Sequence, residues 1–230
     1  MNGAFSNFCN LSLICADPLA FREDLSLLQN LGLKKVHLDV MDSIFVPRFG
    51  LYPEIVSLIE SEFEFEFDAH FMVSDVHSAL LEWRKYQNPK KISFHYRGNE
   101  NKVGDLLEAI RAGGSEAIVA FDLSVDDKEF LEVIEMHKLD RVMLLGITPG
   151  VLVQDHKPDS VIHRLNIIRD YLESPPSTIQ IDGGVNFATV GDFVALGVTD
   201  LVCGSSTIYK NVDFCIDKNK QQKIIQNVKR

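Results

Sequence analysis

The sequence predicts an α/β fold, a single-domain (β/α)8 barrel spanning residues 1–230. Short apolar runs alternate with longer amphipathic runs, eight of each, to the end of the chain. Each apolar run is strand-sized and rich in Val, Ile, Leu or Phe, as strands of a parallel sheet covered on both faces require. No Pro- or Ser-rich linker and no low-complexity tract breaks the series, and the length suits one such barrel.

In chain order the strand candidates are 11–15, 35–40, 65–71, 91–95, 117–121, 141–145, 178–181 and 201–203. The first helix is expected over 18–31, where Leu19, Phe21, Leu25, Leu28 and Leu31 recur near helical spacing behind Asp17 and Pro18. The others are expected over 53–62, 76–86, 103–112, 126–136, 159–172, 187–196 and 212–229. Gly32, Gly113 and Gly197 stand at three helix ends, where glycine is the usual stop residue. One continuous β-then-α series favours a closed barrel over an open, doubly wound sheet. The long connection after the sixth strand, about 146–158, is expected to be a lid or a ligand-contacting loop.

Composition narrows the partners. With 46% hydrophobic and 24% charged residues the chain can bury a large core. The formal net charge of −10 argues against nucleic acid and against an anionic membrane, since both need a surplus of Lys and Arg. A small anion stays compatible, because a few backbone amides at a helix start suffice to bind it. Cys9, Cys15, Cys203 and Cys215 form no C-x-x-C pair and suit scattered thiols in a reducing compartment. Residues 1–10 carry neither the basic nor the apolar part of a secretory signal, so a cytoplasmic protein is expected. Nothing fixes a self-association surface, and a homo-oligomer stays open.

The most informative local sequence is His37-Leu38-Asp39-Val40-Met41-Asp42. Positions two apart on a strand point to one face, so His37 and Asp39 project together. They fall near the C-terminal end of the second strand, the barrel end where catalytic groups gather. His70 ends the third strand and Asp182 the seventh. One H-x-D pair alone reads more readily as ordinary hydrogen bonding. Two imidazoles and two carboxylates at strand ends facing one mouth suit one divalent metal ion, Zn²⁺, Fe²⁺, Mn²⁺ or Co²⁺. His77, His137, His156 and His163 fall on helices or in the long loop and read as solvent-facing.

Glycine turns follow the last two strands: Gly183-Gly184 after the seventh and Gly204-Ser205 after the eighth. A lone Gly-Gly turn only joins strand to helix. Turns at both positions form the recurrent phosphate site of such barrels, where backbone and helix-start amides meet an anion.

At these residues the chain resembles the ribulose-phosphate 3-epimerase family over nearly its whole length. Leu11-Ser12-Leu13-Ile14-Cys15-Ala16-Asp17 is similar to the family's P-S-I-L-S-A-D, and residues 37–48 to its H-[VI]-D-V-M-D-G-x-F-V-P-N. His70-Phe71-Met72-Val73 matches H-L-M-V, and Ser93-Phe94-His95 the fourth-strand F-H. Pro149-Gly150 resembles the sixth-loop N-P-G; residues 182–186 and Gly204-Ser205 match the D-G-G-V-N and G-S turns. The resemblance implies a metal-dependent inversion of C3 in a ketose phosphate, with D-ribulose 5-phosphate and D-xylulose 5-phosphate as the reference pair. It implies that Asp39 and Asp182 flank C3 from opposite faces and exchange acid and base roles. It also implies that Ser12 contacts substrate or a catalytic water, and that Met41 and Met72 cap the enediolate. An allulose-6-phosphate-type epimerase, a related sugar-phosphate lyase and a non-catalytic sugar-phosphate-binding relative remain alternatives.

Several positions depart from the pattern. Ser43 replaces a glycine, Arg48 an asparagine and Arg97 the F-H-x-E glutamate. The fifth-strand N-P-x-T reads Phe121-Asp122-Leu123-Ser124, and Leu145 replaces a third cap methionine. The P-G-F-G-G-Q loop reads Pro149-Gly150-Val151-Leu152-Val153-Gln154. Bulky residues in place of glycine stiffen that loop, and the Arg48 guanidinium could reach substrate or Asp155. A shifted preference follows: weak use of D-ribulose 5-phosphate relative to another ketose phosphate. The combined change Arg48→Asn, Leu152→Gly and Val153→Gly is expected to raise turnover of the pentulose. Efficient wild-type turnover, only damaged by the triple change, would make these departures neutral.

Overall fold

Parallel pairing fixes the architecture. In the computed structural model, which describes residues 8–86, 88–151, 157–186 and 188–209, eight strands close into a barrel in sequence order. They are β1 (Cys9–Ser12), β2 (Lys35–Met41), β3 (Glu66–Met72), β4 (Lys91–His95), β5 (Glu116–Phe121), β6 (Arg141–Leu145), β7 (Thr178–Asp182) and β8 (Asp200–Cys203). The described helices are α1 (Phe21–Asn30), α2 (Glu54–Glu60), α3 (Val76–Trp83), α4 (Val103–Ala112), α5 (Asp127–His137), α6 (Pro158–Tyr171) and α7 (Val190–Ala195). The expected helix over 212–229 and loop residues 152–156 lie outside the described residues.

Three starts differ from expectation by two residues or more. The first strand is Cys9–Ser12 rather than 11–15, because its ladder with β8 begins at Cys9↔Leu201 and its ladder with β2 ends at Ser12↔His37. Beyond Ser12 the apolar run turns through a 3₁₀ segment, Leu13–Cys15, closed by Ala16 N donating to Leu13 O. Helix α1 starts at Phe21, not at residue 18: the Asp17 carboxylate accepts from Leu19 N and its carbonyl from Ala20 N, which holds 17–20 as a turn. Leu19 is consequently exposed. Helix α7 starts at Val190 because Asn186 forms the same kind of turn, accepting from Ala188 N.

Strand alternation divides the barrel lumen. On β5 and β6 the inward residues are Ile118, Ala120, Met143 and Leu145, a dry apolar cluster of their own. Asn10 and Ser12 on β1, His37 and Asp39 on β2, Asp68 and His70 on β3, Ser93 and His95 on β4, and Gln180 and Asp182 on β7 are buried polar residues. Asp200 is buried too; it accepts from Asn10 Nδ2 at 2.6 Å, pairs with Lys91 and lies 3.6 Å from Lys35 Nζ, tying β8 to β1, β4 and β2. The larger core lies outside the strands, where residues such as Phe71, Phe94, Phe121 and Phe130 meet the helices.

After β2 the chain folds into a tight hairpin-like loop bridged at Asp42↔Phe49. One oxygen of Asp42 accepts from Ile44 N and Phe45 N, each at 2.8 Å, and the other from Ser74 N and Ser74 Oγ, each at 2.7 Å. These donors outweigh partial burial and hold the Asp42 carboxyl at about 2. Ser43 takes a left-handed φ of 64°, a conformation that L residues occupy at a cost and that the Asp42 bonds hold in place.

Because Asp42 is depressed in the folded protein, its stabilisation is complete above the unfolded carboxylate value, about 3.9, and is lost as pH falls toward 2. Asp42→Ala is expected to cost about 1–3 kcal/mol at pH 7. The gap from wild type, followed by urea unfolding at stepped pH, should narrow from pH 4 downward. A gap independent of pH would refute the assignment.

Candidate metal and active site

The barrel brings all four predicted ligands to one mouth. One ligand atom each from His37, Asp39, His70 and Asp182 lies within 4.8 Å of the others. His37 Nε2 is 3.7 Å from Asp39 Oδ1, and His70 Nδ1 is 3.9 Å from the same oxygen. His70 Nδ1 is also 3.4 Å from Asp182 Oδ2, close enough to attract yet out of hydrogen-bond alignment. Both histidines are wholly buried and the two aspartates nearly so.

Burial without partners is costly for such groups. Among the described residues, His37 Nε2 and His70 Nδ1 have no hydrogen-bond partner. Two orphaned nitrogens and two carboxylates turned to one point form a donor set for a divalent cation, and the N₂O₂ chemistry suits a first-row metal. The outer nitrogens are occupied: His37 Nδ1 meets Asp68 Oδ2 at 3.0 Å, and His70 Nε2 meets His95 Nε2 at 2.9 Å. Gln180 Nε2 donates to the same oxygen of Asp68.

Protonation follows these contacts. Burial lowers His37, but Asp68, Asp39 and Asp182 outweigh it and raise the imidazole to about 10. His70 is lowered by burial and by the neighbouring His95 and His37, against the pull of Asp182. Burial raises Asp39, only partly offset by His37, His70 and Ser12. Burial also pushes Asp182 up, but His70 and His37 bring it below its ordinary value. Asp68 is held low by His37, Lys91 and Gln180 despite its burial.

The remaining candidates surround this centre. Ser12 Oγ donates to Asp39 Oδ2 at 3.1 Å. Met41 and Met72 pack together with Val46, flanked by Ile14 and Phe45. Gly50 backs the site: a Cβ there would lie 2.2 Å from Asp39 O, so only glycine lets the returning loop cross β2. Gly183 has φ +90°, and its Cβ would strike Ile147 at 2.6 Å. Gly184 follows it, its carbonyl accepting from Asn186 Nδ2 and Thr189 Oγ1. Gly204 and Ser205 leave β8 at the same end of the barrel.

Three residues around the centre, Asp68, Gln180 and His95, were not among the sequence-derived site residues. Asp68 carried a usable signal, since it precedes His70 by two and shares its face. His95 lies in the fourth-strand F-H match, but its place beside His70 came from the pairing of β4 with β3. Arg97 turns away to Ser124 O at 3.0 Å and Glu129 at 3.5 Å. His77 and His163 are exposed as expected, whereas His137 is half-buried; His156 and Asp155 lie outside the described residues.

Comparison with known proteins agrees with this arrangement. The profile of the Ribulose-phosphate 3 epimerase family matches residues 9–209. Ribulose-phosphate 3-epimerase of Buchnera aphidicola subsp. Acyrthosiphon pisum is 28% identical over 215 residues, 92% of each chain. The Escherichia coli K12 protein of the same name is 28% identical over 206 residues, 88% of this chain and 89% of its own. Among solved structures, 3-hexulose-6-phosphate synthase from Salmonella typhimurium superposes with a TM-score of 0.69 at 16% identity, covering 96% of this chain and 99% of that one. KGPDC from Streptococcus mutans gives 0.65 at 9% identity, covering 95% and 97%. At such identities the two structures share the fold.

The donor set predicts metal that co-purifies and is counted by elemental analysis. His37→Ala combined with His70→Ala should abolish both loading and activity. Full activity in thoroughly metal-free wild type would refute the site.

Proposed function

The chain belongs to the ribulose-phosphate 3-epimerase family, and on that premise we propose that it inverts C3 of a ketose phosphate, interconverting D-ribulose 5-phosphate and D-xylulose 5-phosphate or a close analogue. The observation that carries this reading is the pair of buried carboxylates, Asp39 from β2 and Asp182 from β7, gathered with two imidazoles at the barrel mouth.

Inversion needs one group to remove the C3 proton and another to return a proton on the opposite face. Asp39 and Asp182 are the proton carriers, exchanging roles with the direction of reaction. A divalent cation held by His37, Asp39, His70 and Asp182 would supply the positive charge that stabilises the developing anion. Ser12 orients Asp39 through its hydrogen bond. Met41 and Met72 exclude water from the reacting carbon. The turns at Gly183-Gly184 and Gly204-Ser205 receive the phosphate through backbone amides.

The altered loop sequence at 151–153 and the arginine at 48 favour a second reading, a ketose phosphate other than the pentulose. It includes an allulose-6-phosphate-type epimerase and a related sugar-phosphate lyase. Exchange of the C3 proton in deuterated buffer, followed across a panel of ketose phosphates, separates these. Metal loading without exchange on any of them would indicate a relative that only binds.

Asp39→Asn and Asp182→Asn each keep the side-chain shape but remove a proton carrier. Each should lower turnover by about 10²–10⁴-fold, even where some metal stays bound. A near wild-type rate in either variant would refute the two-carboxylate scheme.

A further inference from the structure

One polar contact at the centre is not used by the chemistry above: the pair His70–His95. The Nε2 atoms lie 2.9 Å apart and the ring planes are within 13° of parallel. Both side chains are buried, so water does not mediate the contact. Between two neutral imidazoles at this distance a single proton is shared, and its owner decides what the opposite nitrogens can do. If His95 Nε2 holds it, His70 must carry its own proton on Nδ1, and that nitrogen cannot ligate a metal. If His70 Nε2 holds it, Nδ1 presents a lone pair to the carboxylates, and His95 must carry its proton on Nδ1.

That second nitrogen of His95 faces Asp122. Its Nδ1 is 3.9 Å from Asp122 Oδ2. The distance is too long for a hydrogen bond, but the carboxylate charge favours a proton on the facing nitrogen in a buried setting. Asp122 is fixed in turn by Ser124 N, which donates to Oδ1 at 2.7 Å. The His95 ring is pinned by Phe45, 5.0 Å away, and its backbone carbonyl by Asn99 Nδ2 at 3.0 Å. The contacts with His163 and Asp127 lie elsewhere and do not enter this line.

We propose that His95 and Asp122 are positioning residues: the β5-end carboxylate sets the His95 tautomer, and His95 accepts the Nε2 proton of His70, leaving His70 Nδ1 free to bind a divalent cation. The inference rests on the metal-centre reading.

The test uses zinc-loaded, ¹⁵N-histidine-labelled protein and zinc affinity measured by chelator competition. In wild type, His95 should be protonated on Nδ1 and a scalar coupling should cross the hydrogen bond between the two Nε2 atoms. His95→Leu, which removes the acceptor, should weaken zinc binding by about 10–100-fold. His95→Gln, whose amide oxygen can still accept, should stay within a few-fold of wild type. Asp122→Ala should fall between them and lose the Nδ1 preference. Zinc bound by wild type with His95 protonated on Nε2, or full affinity in His95→Leu, would overturn the proposal and leave the metal centre standing. If wild type binds no zinc, both fall. Should His95→Leu fail to fold, the wild-type tautomer and coupling decide.

Discussion

Four ionisable side chains held away from water at one end of a hydrophobic barrel set the terms for everything around them. His37, Asp39, His70 and Asp182 are all buried, and removing such groups from water costs several kcal/mol each unless partners replace it. The lumen answers with a second ring of polar groups. Asp68 and Gln180 serve His37, Ser12 serves Asp39, and His95 serves His70. Among the described residues these groups leave the inner nitrogens of both histidines without a hydrogen-bond partner, and a cation would satisfy them together. The apolar wall on β5 and β6 contributes no competing donor on that side.

Holding these groups to such distances requires a stiff rim. The loop after β2 is held by the Asp42 bonds, which reach Ser74 after β3, as well as by the packing of Val46 and Phe45 against Met41 and Met72. The two strands that supply three of the four ligands are thereby tied together just beyond them. Gly50 then lets the chain return against the β2 backbone, where its amide donates to Met41 O and Leu51 N to Asp39 O. The apolar cap of Met41, Met72 and Val46 sits on this frame. Arg97 is absorbed by Ser124 and Glu129, so this departure from the family pattern is accommodated at the rim and leaves the ligands untouched.

The barrel itself says little about chemistry. Structures that superpose on it at 9% and 16% identity bear the names of other enzymes, and function resides in the groups at the mouth. What bears on function in this chain is the placing of carboxylates on β2 and β7 with histidines on β2 and β3, together with relatives 28% identical over most of its length.

The sequence by itself determined the β-then-α series and the residue types of the centre. Strands over 91–95 and 141–145 and the helix over 103–112 are legible to the residue, because apolar period and turn residues act locally. His37 with Asp39 is equally legible, since a strand sends alternate side chains to one face whatever surrounds it. Tertiary structure decided where β1 stops, because that depends on pairing with β2 and β8 rather than on its own apolar run. It also decided which nitrogen of each histidine faces inward. His70 and His95 are 25 positions apart, and their contact exists only through the register of neighbouring parallel strands. A local pattern carries no record of that register, which is fixed when the closed barrel packs as a whole.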